Sequence, residues 1–305
     1  RGLARSARAE ALLPVHCIDG ARAIASGQTA MLVEPEAALR PSVVLVPRLA
    51  HARQWTHTPL ASAASTHLVT GGTSGLGLLT ARWLAQHQAV RALALASRSS
   101  TLAIVEDREM AALHATDTCT LTWRCDMAED AHVRQLVASM NGRARTCVWH
   151  AAGVLADGIL AGQNAQGCAR VYAPKAHGAQ MLHCMYAKAV VAAHVLFSSV
   201  AALLGGAGQA NYSAANTCLD ALAAHRRSDA IAAASVQWGA WAEVGMAARG
   251  AAAERMAAME AASGFGRIGL AQGLGVLHAA VLPQAPSASS LVPVQWDRML
   301  GSGNE

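Results

Sequence analysis

From Thr66 onward, short apolar runs alternate along the chain with longer stretches in which apolar residues recur every three or four positions. The short runs "THLVTGG", "RALALASR", "TLTWRCD", "TCVWHAAG", "AHVLFSS" and "AIAAASVQWG" predict strands. The amphipathic stretches at 75–88, 104–115, 129–140, 165–188 and 210–227 predict helices, a further helix is expected over 267–281, and "SLVPVQW" reads as a last edge strand. Strand and helix alternating at this pitch imply right-handed crossovers and a parallel sheet with helices on both faces.

The predicted fold class is therefore α/β, a doubly wound, Rossmann-like parallel sheet. Residues 1–65 break the rhythm, with one helix, one or two strands around "LPVHCID" and "SVVLVPRL", and a small-residue loop, "HTPLASAAS", that reads as a linker. So short a segment is marginal alone, so it is expected to pack against the main domain as a partial N-terminal subdomain. The boundary is placed between residues 65 and 66, with 66–305 as the main domain.

Composition narrows the function. Of 305 residues, 53% are apolar and 14% charged, and no apolar run approaches the roughly 18 residues a membrane helix requires, so no membrane is expected. No signal segment opens the chain, which starts at Arg1, and it reads as a piece of a longer polypeptide. The net charge of +5 is spread out, and the arginines of "RGLARSARAE" read as a solvated helix face rather than a nucleic-acid footprint. Seven cysteines without a CxxC pair suit a reducing, cytoplasmic setting, and thirteen histidines without HxxxH spacing predict no metal.

The first main strand runs into "TGGTSGLG", residues 70–77. Gly71, Gly75 and Gly77 permit a tight turn, close approach of a pyrophosphate and packing of the next helix, whose N-terminal amides face the phosphates. At the end of the second strand a carboxylate would suit NAD; here stand Ser97 and Arg98, and a guanidinium there either clamps a 2′-phosphate, favouring NADPH, or caps a surface strand. Asp126, ending the third strand, either meets an adenine edge or caps the next helix.

Of three tyrosines, Tyr212 alone has a serine thirteen residues before it, Ser199, and a polar residue four after it, Asn216. Carbonyl reduction needs a hydride and a proton, and a phenol donates that proton better beside a cation. The two lysines, Lys175 and Lys188, lie thirteen residues apart on opposite faces of one predicted helix, and Lys175 is the candidate. Ser198 is the rival of Ser199, but adjacent strand residues face opposite ways.

With "VWHAAGVLADGIL", "FSSVAALLGGAGQANYSAAN" and "VQWGAWAEVGMA", these motifs resemble the ketoreductase domain of a modular polyketide synthase, a short-chain dehydrogenase/reductase relative in which lysine and asparagine have exchanged places. The likeness runs from about Thr66 to the end, while the opening segment resembles the last part of that family's structural subdomain. It implies Tyr212 as proton donor, Ser199 on the ketone oxygen, Lys175 on the nicotinamide ribose and lowering the tyrosine pKa, and Asn216 holding a water or the lysine in line. Gly71, Thr73, Ser74, Gly75, Leu76, Gly77, Ser97, Arg98, Asp126, Met127, Ala151, Ala152 and Gly153 would bind NADPH. The implied substrate is a β-ketoacyl thioester on the phosphopantetheine of an acyl carrier protein, among neighbouring synthase domains. A fatty acid synthase reductase and a redox-inactive scaffold domain are the alternatives.

Asp157, Leu204, Gln209 and Met246 fall at positions that the resemblance implies for substrate and stereocontrol. In that family a Leu-Asp-Asp motif marks D-hydroxyl-forming, B-type domains and a tryptophan eight residues before the tyrosine marks L-forming ones. Here Leu155, Ala156 and Asp157 keep the second aspartate and Leu204 replaces the tryptophan, which implies a D product, and Ala215 is not the proline of epimerising members. The stretch 244–266 reads either as a mobile loop and helix that form a lid over the site or as an ordinary surface helix pair.

Overall fold

The computed structural model describes residues 1–11, 15, 17–19, 35–40, 43–46, 65–87, 90–99, 110–140, 146–187, 191–244 and 264–299. It opens with α1 (Gly2–Ala11), β1 (Cys17–Asp19), β2 (Glu36–Arg40) and β3 (Val43–Leu45). The main unit follows as β4 (Thr66–Thr70), α2 (Gly75–His87), β5 (Ala92–Ser97), β6 (Cys119–Arg124), α3 (Asp130–Met140) and β7 (Thr146–His150). Next come α4 (Ala165–Tyr172), a π-helical turn (Ala173–His177), α5 (Gly178–Met185), β8 (Val191–Ser199), α6 (Val200–Leu204) and α7 (Ala210–Ser228). The last described elements are β9 (Ala234–Trp238), α8 (Leu270–Ala280), β10 (Ala288–Leu291) and α9 (Trp296–Met299).

Seven strands form one wholly parallel sheet in the order β10-β9-β8-β7-β4-β5-β6. The chain winds outward from β4 to β6 on one side and from β7 to β10 on the other. The reversal lies between β4 and β7, and connections leaving those two strands in opposite directions open a crevice at their carboxyl ends. Alternation along the buried strands supplies both cores. Val69, Leu95, Trp149 and Phe197 meet Leu84 of α2 and Leu277 of α8 on one face. Leu68, Ala94 and Val148 meet Val133 and Leu136 of α3 and Leu182 of α5 on the other.

Several elements depart from the sequence expectation. The helix expected over 165–188 contains a π-helical turn, in which Pro174 supplies no backbone N–H. β10 ends at Leu291, short of the expected "SLVPVQW", because Pro293 lacks a ladder donor, and Trp296 already begins α9. Of the helix expected at 104–115, Met110–His114 is described and helical. Residues 57–64 of the linker loop, Lys188 and residues 245–263 of the expected lid, Met246 included, lie outside the described residues.

The opening segment packs on the main unit as expected. β2 lies between β1, parallel to it, and β3, antiparallel. α1 buries Gly2, Ala4, Ser6 and Ala7. Its approach to α7 is so close that a Cβ on Gly2 would fall 2.2 Å from the Ser213 carbonyl oxygen.

Candidate active site

The glycine loop begins where β4 stops. Gly71 has φ +67° and a Cβ there would stand 3.1 Å from the backbone of Ala151 and Ala152; on Gly77 it would come 2.1 Å from the Gly71 oxygen. The loop is thus folded onto the first turn of α2 and against the segment after β7, with Gly75 also left-handed at φ +50°. The Gly71 amide donates to Ala96 O at 2.7 Å. The amides of Gly75, Leu76 and Gly77 open α2, where no preceding turn offers them a carbonyl. Thr73 is buried and Ser74 exposed beside them. A backbone cradle that side chains would fill, closed by helix-terminal N–H groups at a sheet's switch point, fits a dinucleotide pyrophosphate.

Around this cradle, Ser97 donates to Ser99 O at 2.6 Å, and Arg98 is exposed with no carboxylate paired to it among the described residues. Asp126 Oδ1 accepts the Ala128 amide at 3.0 Å, closing a turn in the segment before α3 rather than capping that helix, which starts at Asp130. Met127 is buried, its backbone oxygen 2.9 Å from where a Cβ on Gly178 would lie, so it anchors the start of α5.

Lys175 sits in the π-helical turn, 3% exposed, its Nζ donating to Phe197 O at 2.7 Å and lying 5.3 Å from the centre of the Tyr212 ring. Gly153 leaves room for it, since a Cβ there would be 3.2 Å from Lys175 Cε. Burial pushes the lysine pKa down to about 8, and the carboxylate of Asp220 acts the other way. Asp220 is itself held by Ser235 and Gln237, at 2.6 and 2.7 Å.

His150 explains why the turn stays in place. Its Nε2 meets Lys175 O at 2.9 Å and its Nδ1 meets Thr70 Oγ1 at 2.8 Å. A carbonyl only accepts, so Nε2 carries the proton and Nδ1 accepts from the Thr70 hydroxyl. Thr70 Oγ1 in turn accepts the Ala152 amide at 3.3 Å. This chain of bonds ties the glycine-loop strand, the segment Ala151–Gly153 and the lysine turn together. His150 is fully buried, and that burial holds its pKa at about 4, so it is neutral near pH 7.

Tyr212 rises from the first turn of α7, packed with Val171, Ala201 and Ala215. Burial raises the pKa of its phenol, side-chain hydrogen bonds from Asn216 and Ser199 lower it, and the Asp157 carboxylate raises it again. The net direction is upward, opposite to the lowering expected from Lys175, because the ring is desolvated and Lys175 points its charge at the Phe197 carbonyl. Ser199 caps α6, accepting the Ala201 amide at 3.2 Å, while Ser198 donates to Asn216 O at 3.3 Å. Asn216 donates to Tyr212 O at 2.8 Å, and its Oδ1 is buried without a partner among the described residues. Asp157 and Leu204 are exposed at the rim and Gln209 precedes α7. The fold therefore brings Tyr212, Ser199, Lys175 and Asn216 together beside the glycine cradle. The sequence reading missed Thr70, His150 and Asp220, whose signals were a polar pair ending two adjacent strands and an acid two helical turns beyond Tyr212.

A site of this kind at the carboxyl edge of a doubly wound sheet defines a nicotinamide-type oxidoreductase. The KR domain family model matches residues 65–243, more than half of the chain, and the chain belongs to that family. It is 46% identical over 194 residues to the polyketide synthase GfsB of Streptomyces halstedii, covering 63% of this chain and 4% of that protein. With GfsA of the same organism it is 36% identical over 303 residues, covering 97% of this chain and 4% of that protein. The chain thus spans a small fraction of the length of these relatives. Among solved structures, an A1-type ketoreductase superposes with a TM-score of 0.86 at 33% identity, covering 98% of this chain and 64% of that one. Among the described residues, no helix is long and apolar enough to cross a membrane.

Proposed function

We propose that this chain reduces a β-ketoacyl thioester, carried by the phosphopantetheine arm of an acyl carrier protein, to the D-β-hydroxyacyl thioester with NADPH, as one domain among others of a polyketide synthase. Residues 1–65 are assigned to the end of a structural subdomain with its linker, and 66–305 to the catalytic unit. The carrying observation is the buried Tyr212 phenol, whose ionisation Asn216 and Ser199 favour, with Lys175 Nζ 5.3 Å from its ring, beside the glycine cradle.

The cradle of Gly71, Thr73–Gly77 and Ala151–Gly153 would hold the dinucleotide, which supplies the hydride when bound. Ser199 donates a hydrogen bond to the ketone oxygen. Tyr212 hands its proton to the alkoxide that develops there, so the ketone gains one hydride and one proton. Lys175 supplies a fixed positive charge and a donor for a ribose hydroxyl. Asn216 Oδ1, buried and unpartnered among the described residues, is suited to a water behind the lysine.

Purified protein should oxidise NADPH with a diffusible β-ketothioester and yield mainly the D alcohol on chiral chromatography. No ketothioester-dependent oxidation would remove the reductase reading, and a mainly L product would remove the meaning given to Asp157 and Leu204. Overall similarity to a solved structure does not carry the stereochemical assignment, which rests on those two positions. For cofactor choice, Arg98→Ala should weaken NADPH roughly tenfold or more and leave NADH nearly unchanged, as expected for loss of a charge-assisted phosphate contact. Equal weakening of both in a fluorescence titration would take Arg98 out of the phosphate site.

A further inference from the structure

Two loops flank Tyr212 at the rim of the crevice, the segment after β7 that carries Asp157 and the turn between α6 and α7 that follows Leu204. They are stitched together: Gly158 N–H donates to Gly208 O at 2.9 Å, and Asn211 Nδ2 donates to Ala156 O at 2.8 Å. Both then meet one carboxylate from the opening segment. Glu10 accepts the Leu160 amide at 2.6 Å through one oxygen and the Gly208 amide at 2.9 Å through the other. With the Gly158–Gly208 bond this closes a ring joining Glu10, the Asp157 loop and the turn before Tyr212.

The rest of α1 braces the same turn. Ser6 Oγ accepts the Gly206 amide at 3.3 Å and donates to Ser213 Oγ at 2.9 Å. Arg5 donates to Ala202 O and pairs with Glu36 on β2. Gly205, at φ +79°, lies so near that a Cβ there would stand 2.6 Å from the Arg5 carbonyl carbon. Glu10 occupies the last turn of α1, where the helix dipole disfavours a carboxylate. Its two amide donors, not its own helix, account for its placement.

We propose that Glu10 is a specificity-determining positioning residue. It fixes the spacing of the two rim loops, and so the path and the face by which the acyl thioester reaches Tyr212. The opening segment then shapes the substrate groove instead of serving as a mere brace. This rests on the reductase reading above for its effect on substrate, while the clamp itself is readable without substrate.

The test compares wild type, Glu10→Ala and the isosteric Glu10→Gln in the full chain. An amide can accept through one oxygen only and turns an N–H towards the second donor, so Gln should behave nearly as Ala. Hydrogen exchange should rise roughly tenfold at residues 157–162 and 205–209 and stay unchanged over the glycine loop. With a β-ketothioester, both variants should raise KM roughly fivefold, shift kcat less, enlarge the minor enantiomer and leave NADPH affinity within about twofold. A general loss of stability would move none of the enantiomer ratio. Unchanged exchange in Glu10→Gln overturns the clamp, and raised exchange with unaltered KM and enantiomer ratio overturns its role in specificity. A wild type that never consumes NADPH would sink the reductase reading and the specificity role with it, leaving the exchange result to decide the clamp alone.

Discussion

Replacing Tyr212 by phenylalanine should leave NADPH binding and the fold intact while lowering ketone reduction by roughly 10² to 10⁴, the usual worth of a positioned general acid. The change removes one oxygen and keeps the ring that packs on Val171, Ala201 and Ala215. The Asn216 bond to the residue 212 carbonyl is to backbone and survives. Because burial and the Asp157 charge hold the phenol above its ordinary pKa of 10, it carries its proton throughout the neutral range and is ready to give it up. The phenol has to release that proton towards an alkoxide of far higher basicity, so its raised value does not prevent transfer. Single-turnover absorbance at the NADPH band, beside a binding titration and a melting curve, separates the three quantities. Near wild-type turnover would show that another group, such as the Ser199 hydroxyl, delivers the proton.

The parts legible in the sequence were those set by local periodicity or by short spacing. Buried strands such as β4 and β7 read as apolar runs because both faces of a parallel sheet are covered. Tyr212, Asn216 and Ser199 were found together because one helix and the strand end before it fix their offsets. What failed was either too weak or too distant. β2, "EAALR", has no β-branched residue to mark it, and α6 follows an apolar strand without a change of composition, with the Ser199 cap as its signal. The π-helical turn was foreshadowed by Pro174 alone, yet it is the element that aims Lys175. Glu10 reaches loops 150 and 198 residues away along the chain, which no periodicity can reveal. That no lysine stands four residues after Tyr212, where Asn216 is found, is visible in the sequence. Its physical sense appears once the turn carrying Lys175 is seen against the same tyrosine.

Lys175→Met should cut kcat by roughly 10² or more, the range seen when one preorganised electrostatic group is removed from a dry site. Methionine keeps most of the stem that lies against Gly153 and loses the charge and the bond to Phe197 O. Stability should fall by about 1–3 kcal/mol, since a buried carbonyl loses its donor, and melting curves would report that separately from turnover. The wild type offers a second test of the same cation. Burial brings the lysine pKa from its usual 10.5 down to about 8, so the ammonium is present below that value and lost as pH rises through it. Reduction rates at saturating NADPH should therefore hold at neutral pH and decline through about 8, although Tyr212, with its raised pKa, is still protonated there. Asp220 favours the charged form, so Asp220→Asn should move the decline to lower pH, a shift that general destabilisation would not produce. Lys188→Ala, the rival substitution, should be nearly silent. A profile flat well past the lysine's value, or a Lys175→Met enzyme with ordinary kcat, would show that the charge against which Tyr212 works comes from elsewhere.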